Sequence, residues 1–462
     1  MLIKGRKALS NKIISTTGGL TRRRLLQSGA TFAAAGALGG VAMPFVNAGV
    51  ARAADAEPLH FWNFYAPGGD VKTQVDWFEK MASDWNASHD PKVELDYVPN
   101  ADYMNGSKLS TAFASGQGPD IFLISPGDFL RYYNGGVLLD LTPYITPDAQ
   151  ADFPEGIIAS RKVDNKIYGI PMELEPMAFY YSKKVFEDAK LNENDIPQTW
   201  DQLLELGKKL TTSDRYGLLF ETAPGYYQNF TWYPFMWQGG GEFQTAEGKS
   251  AFDSPAVVQA LKLWQDAINS GAAPRQLLGG GGGDLVANLA AGYCAMQNVG
   301  IWGISAMDNN APNVPYGIFK LPVPKGGKYV TVGGGWAFVA NAKGKNPEAA
   351  GKFIAWALAS MSPDSIQREV DWCTVAKSDM PTRTSALKQG AAAFNKGNLG
   401  IFSKDILPGV RGEPRLPPEV YKIISDAIQQ TQLGGADPQA TATAASQQLD
   451  AFLATYKGAP ML

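Results

Sequence analysis

The 462-residue chain carries 41 Lys and Arg against 44 Asp and Glu, a formal net charge of −3, with only two cysteines and two histidines. That balance excludes a nucleic-acid ligand, which needs concentrated positive charge to displace counterions. His60, His89, Cys294 and Cys373 fall in no metal-ligand spacing, so a zinc site has almost nothing to be built from, and no cofactor is implied.

The chain begins with a basic cluster, Thr21-Arg22-Arg23-Arg24-Leu25-Leu26, followed by an uncharged run from Gln27 to Ala51. This pattern predicts a signal peptide over residues 1–53, with cleavage after the A-x-A of Ala51-Arg52-Ala53, or after Ala56. A membrane anchor is the competing reading; five glycines, Pro44 and Asn47 make the run only weakly apolar and favour the transient signal. Thr21 to Leu26 resembles the twin-arginine export signal of bacteria. Removing residues 1–53 takes away eight bases and no acid, leaving about 409 residues with a net charge of −11, a solubility feature. No cysteine sits beside the cleavage site, so the exported protein is expected free and not lipidated. Cys294 and Cys373 can pair in an oxidising compartment, although a chain of this length needs no staple to build a core.

About 409 residues suits two domains. Leu59 to Trp62 reads as a buried strand; Phe78, Met81, Ala82 and Trp85 follow at helical spacing; Val93, Leu95 and Tyr97 alternate with Lys92, Glu94 and Asp96 as a strand with one wet face. A β-α-β opening predicts a parallel sheet. Thr199-Trp200-Asp201-Gln202 is a capping box, and Ser254-Pro255 and Asn346-Pro347 place a capping residue before a proline at the first helical position. The fold class is therefore α/β, layered sheets covered by helices. Five glycines, Gly279 to Gly283, read as a flexible surface loop or a flap beside a ligand. Glycines 333 to 335 lie in a predicted strand, Val330 to Ala340, where they let a ligand or another backbone come close.

Catalytic motifs are missing: no P-loop, because position 243 is Phe, and no G-x-S-x-G elbow. Glu173 and Glu175, two apart on an extended segment, point to the same side; they suit either a glycosidase pair or a carboxylate that accepts hydrogen bonds from ligand hydroxyls. Tyr226, Tyr227, Trp232 and Trp237, then Trp302 after Gly300 and Trp336 after the glycine trio, fall where turns are expected, and offer flat faces to sugar rings.

Six segments carry a resemblance: Gly116-Gln117-Gly118-Pro119-Asp120-Ile121, Gly136-Val137-Leu138-Leu139-Asp140-Leu141, Tyr168-Gly169-Ile170-Pro171, Phe179-Tyr180-Tyr181-Ser182-Lys183, Pro197-Gln198-Thr199-Trp200-Asp201, and Gly292-Tyr293-Cys294-Ala295-Met296 through Gly300-Ile301-Trp302. In order and spacing they resemble bacterial extracellular solute-binding proteins of the maltose-binding type. The resemblance implies a two-lobed periplasmic-binding-protein fold (type II) with the ligand cleft between the lobes and hinge crossings near Pro171–Pro176, Pro315–Pro322 and Ala359–Ser362. Lobe one would take 57–171 plus 318–360, and lobe two 172–317 plus 361–462.

It also implies a monomeric periplasmic protein that binds a small carbohydrate and hands it to the membrane permease subunits of an ABC importer without chemistry. The alternatives are a secreted carbohydrate-active hydrolase using Glu173 and Glu175, and a chemoreceptor-only sugar sensor. Carried over by position, Glu175 takes sugar hydroxyls with Glu173 second, Trp302 stacks on sugar, and Ser125 and Asp128 line the cleft. The loop holding Ser125 lacks the tryptophan of maltose binders. Asn63, Tyr65, Tyr227, Trp232 and Trp336 complete the expected site, with Arg411 a candidate for an anionic group on a modified sugar.

Overall fold

The computed structural model describes residues 57–462 except Asp70 and Asn105; the expected signal segment, with its twin arginines, lies outside the described residues. Twelve strands occur among them in chain order: β1 (Leu59–Asn63), β2 (Val93–Tyr97), β3 (Ile121–Ile124), β4 (Lys162–Val163), β5 (Lys166–Ile167), β6 (Ile170–Pro171), β7 (Glu175–Ser182), β8 (Met296–Gly300), β9 (Tyr316–Phe319), β10 (Thr331–Gly334), β11 (Ala337–Ala340) and β12 (Val410–Gly412).

The first sheet runs β2-β1-β3-β11-β6. The predicted β-α-β opening is its nucleus: β1 pairs in parallel with β2, Leu59 against Val93 through Asn63 against Tyr97, and with β3 on its other edge. Between β1 and β2 the helix Lys72–Asn86 buries Trp77, Phe78, Met81, Ala82 and Trp85, the apolar stripe legible in the sequence. Phe61 of β1 meets Phe78, Phe338 and Phe353 edge-on at 5.7, 4.8 and 6.2 Å. Each such pair adds about 0.5–1.5 kcal/mol beyond its buried area.

The second sheet runs β12-β10-β7-β8, with β9 also paired to β7. All eight residues of β7 are buried. Helices Tyr226–Gln238, Pro255–Asn269 and Pro418–Gln432 bury Trp232, Phe235, Trp264 and Ile424 over this sheet in a second core. Thr199 and Gln202 form the expected capping box, the hydroxyl accepting from Gln202 N–H at 3.3 Å and the Gln202 side chain accepting from Thr199 N–H at 3.1 Å.

The predicted strand Val330 to Ala340 is broken. Gly335 has φ +124°, and a Cβ there would overlap the Glu173 carbonyl oxygen, so only glycine permits the bend. β10 therefore stays with β7, while β11 leaves for β3 and β6. The return passage between sheets thus lies at Gly335–Trp336 and not at Pro315–Pro322, since β9 and β10 both pair with β7. The outward passage is Met172–Leu174, within the expected stretch, and Met172 N–H donates to Trp336 O at 2.9 Å.

The chain after Ser362 differs from expectation as well. Trp372 packs against Trp77 and Phe78 at 4.9 and 5.6 Å, and Arg383 pairs with Asp152 at 2.8 Å, so residues 363–385 build onto the first core. Residues 398–406 then reach the second sheet, Asn398 donating to the Tyr316 hydroxyl at 2.8 Å, and β12 joins it by pairing with β10. Cys294 and Cys373 are both buried and free, so the optional disulfide is not formed.

Candidate ligand-binding site

Two short passages lie side by side where the chain changes sheets, and the charged groups gather on them. Glu173 and Glu175, two apart on extended backbone, both reach the ammonium of Lys377. Lys377 Nζ donates to Glu173 Oε2 at 3.0 Å, to Glu175 Oε1 and to the Tyr65 hydroxyl at 3.1 Å, and lies 3.2 Å from Asp379 Oδ2. Glu173 also accepts the indole N–H of Trp372 at 2.5 Å and the backbone N–H of Trp336 at 3.3 Å. All of these side chains are buried; Lys377 is 4% exposed.

One cation thus serves three carboxylates. Burial pushes Glu175 up, Lys377 pulls it back, and the charge of Glu173 pushes it up again, with a net rise. Asp379 is driven well up by burial against the pull of Lys377. Burial opposes the charge on Lys377, but Asp379, Glu173 and Glu175 outweigh it and hold the ammonium protonated. The three acids offer oxygens within 4.8 Å of one another, a spacing that suits a metal. The ammonium already stands where such an ion would be held. The cluster therefore locks both passages to the first core.

Beside this lock, loops of the two halves meet. Gly127 lies so near the other bank that a Cβ on it would stand 2.7 Å from Glu413 Oε1 and 3.2 Å from the Tyr226 ring. Glu413, 4% exposed, has no hydrogen-bond partner at Oε1. Burial pushes its carboxyl up to about 8, against the pull of Arg161. Asp128 is also raised by burial, with Arg131 at 3.5 Å opposing. The Tyr226 hydroxyl is pushed up by burial and by the charges of Asp128, Glu413 and Glu175. The Tyr227 hydroxyl is buried without a partner, and its ring lies 6.2 Å from Trp302. A cavity of about 350 Å³ borders Arg161 and Glu413 and continues past Leu174, Gly333 and Thr382.

The five-glycine run is tied down. Glu221 accepts N–H groups from Thr222, Ala223 and Gly282 at 2.8, 2.7 and 2.8 Å, and Gln297 donates to Gly282 O at 2.8 Å. Gly283 then abuts the Tyr227 hydroxyl, 3.0 Å from where a Cβ would be. A side chain at Gly282 or Gly283 would crowd the Glu221 carboxylate or the Tyr227 hydroxyl.

Of the residues singled out in the sequence, Ser125 and Asp128 flank Gly127 at this approach, Tyr227 and Trp302 lie beside each other, and Tyr65, Glu173 and Glu175 belong to the lysine lock. Asn63 is fully buried and holds its own turn, accepting from Tyr65 N–H at 2.9 Å. Trp336 packs edge-on against Phe64 and Tyr103 at 4.9 and 6.2 Å. Two expectations need correcting. Trp232 sits on a buried helix, not in a turn, is 0% exposed, and packs against Tyr233 and Phe252 in the second core. Arg411 is paired bidentately with Glu242 at 2.6 and 2.9 Å over the Trp237 ring, where it is 43% exposed.

Sequence reasoning missed Lys377, Asp379, Arg161, Glu413 and Glu221, which become neighbours only when distant segments meet. The one local signal was Gly412-Glu413-Pro414, an acid held between rigid and flexible residues next to the arginine that was singled out.

Residues 70–361 match the bacterial extracellular solute-binding protein family. The galactooligosaccharide-binding protein of Bacillus subtilis (strain 168) is 25% identical over 411 residues, 87% of this chain and 89% of that protein. Among solved structures, the cyclic alpha-maltosyl-1,6-maltose binding protein of Arthrobacter globiformis superposes with a TM-score of 0.68 at 22% identity, covering 86% of this chain and 99% of that one. An ABC transporter solute-binding protein of Thermotoga lettingae bound with alpha-D-tagatose gives 0.72 at 22% identity, covering 86% and 100%. These likenesses establish the two-lobed periplasmic-binding-protein fold expected from the sequence, and the family match establishes the rest: the chain belongs to the bacterial extracellular solute-binding protein family.

Proposed function

We propose that this chain is the carbohydrate-binding component of an ABC importer, shutting its two lobes on a sugar in the periplasm and delivering it to membrane permease subunits. The observation that carries the reading is the meeting of Ser125 to Asp128 from one half with Tyr226 and Glu413 from the other, buried acids beside an aromatic face. Acids accept sugar hydroxyls while rings stack on the C–H face. Relatives named as galactooligosaccharide- and maltotriose-binding proteins support a sugar.

The lobes are taken as about 57–171 with 337–385, and 175–334 with 410–453; the two passages between them are the hinge. Ser125, Asp128, Glu175, Tyr226, Tyr227, Trp302 and Glu413 are the proposed ligand contacts. Glu173 and Glu175 bind one ammonium, which disfavours the hydrolase reading, because a glycosidase pair must leave its carboxyls free on either side of a bond. Twin-arginine export and a free, monomeric, unlipidated protein remain part of the proposal. Among the described residues no helix is long and apolar enough to cross a membrane.

Thermal-shift screening of the exported chain against sugars, polyols and sugar phosphates tests this. A ligand at 100 times its Kd stabilises the native state by about 2.7 kcal/mol and raises Tm. No shift with any carbohydrate, or cleavage of one, overturns the proposal.

A further inference from the structure

Building on the carbohydrate-binding reading, we propose that the preferred guest carries a protonated amine: an amino sugar, or an oligosaccharide containing one, its ammonium held between Glu413 and Asp128 against the Tyr226 ring. The argument starts from charge. Glu173, Glu175 and Asp379 share Lys377, and Asp128 has Arg131. Glu221 is held by neutral backbone N–H groups.

Among the described residues, Glu413 makes no ion pair within 4 Å and is helped only by the Gly127 backbone N–H and the charge of Arg161. Arg161 lends it charge but no hydrogen bond: its NH1 donates to Ile157 O and Ser160 Oγ and its NH2 to Gly335 O, and only Nε remains uncommitted. A carboxylate 4% exposed with an unpartnered oxygen is costly unless something pairs with it. A sugar hydroxyl supplies a hydrogen bond and no charge. An ammonium supplies both, and charge-assisted bonds are about twice as strong as neutral ones. The Tyr226 ring adds a cation–π attraction that a hydroxyl does not receive.

Burial holds Glu413 partly protonated near neutrality, so a cationic guest displaces that proton whereas a neutral guest does not. Two readouts follow.

Isothermal titration at pH 7 compares glucosamine, galactosamine and their di- and trisaccharides with the N-acetylated and parent sugars of the same length. The amine forms are expected to bind at least tenfold tighter, with proton release seen as a dependence of the heat on buffer ionisation enthalpy. Glu413→Gln is expected to lower that preference about tenfold; should the variant fail to fold, the proton release of the unaltered protein decides. Equal or tighter binding of N-acetylated or parent sugars overturns this inference and leaves the carbohydrate reading standing. Tighter binding of choline or spermidine than of any sugar overturns it because the amine is then recognised without a carbohydrate. Binding of no sugar at all overturns both.

Discussion

Replacing Lys377 with methionine keeps the length and apolar stem of the side chain and removes the ammonium that Glu173, Glu175 and Asp379 share. The acids stand within 4.8 Å of one another, and at an effective dielectric constant of about 20 two carboxylates at that distance repel by about 3 kcal/mol. Three such pairs come to about 10 kcal/mol, as much as the whole stability of a typical domain, so the variant must take up protons to stay folded. The loss at pH 8 is then that of breaking a buried pair, about 3–5 kcal/mol. The sign with pH follows from the upward shift of Glu175 and Asp379. Their folded form is favoured below the ordinary carboxylate range, near pH 4.5, and that advantage is lost as pH rises through the raised values. The deficit of Lys377→Met should therefore shrink toward pH 5. Urea unfolding followed by tryptophan emission, at pH 5 and pH 8, measures both. A deficit under about 1 kcal/mol at pH 8, or one unchanged between the two values, would refute the shared-cation account.

Gly335→Ala places a methyl against the Glu173 carbonyl at φ +124° and should cost more than about 3 kcal/mol, read from urea unfolding; a loss below about 1 kcal/mol would mean the bend tolerates a side chain. Trp302→Ala and Trp232→Ala separate ligand stacking from core packing. The first should weaken sugar binding by about 2 kcal/mol in calorimetry. The second should cost about 3–5 kcal/mol of stability. Arg411→Ala, which breaks an exposed pair, should change stability by no more than about 1 kcal/mol and leave ligand affinity within twofold.

The first half of the fold was readable because its signals are local. The stripe Phe78, Met81, Ala82 and Trp85, the alternation at Val93 to Tyr97, and the cap at Thr199 each depend on neighbours within a few residues. The break at Gly335 was not readable: a run of β-formers with glycines looks the same whether it continues in one sheet or leaves for another, and what decides is the Glu173 carbonyl, far away in sequence. The site divides the same way. Ser125, Asp128, Glu175 and Trp302 sit in recognisable segments. Lys377 and Glu413 sit in segments whose meaning depends on contacts made across the chain, with Glu173 and with Gly127. Tyr226 to Trp237 misled because aromatics beside a glycine were read as a turn. They form a helix buried nearly all round, whose first turn alone reaches Gly127 and Trp302.

The position of β11 has a consequence for biosynthesis. It lies between β3 and β6, so the sheet begun at Leu59 has a gap in its middle until residue 340 has left the ribosome, and its partner lacks an edge until residue 412 follows. Neither half can finish folding while the other is still being made, and no single cut yields a self-sufficient fragment. A nascent chain of this family member must therefore hold two incomplete sheets at once, and reaches its native form only after nearly its whole length has been translated.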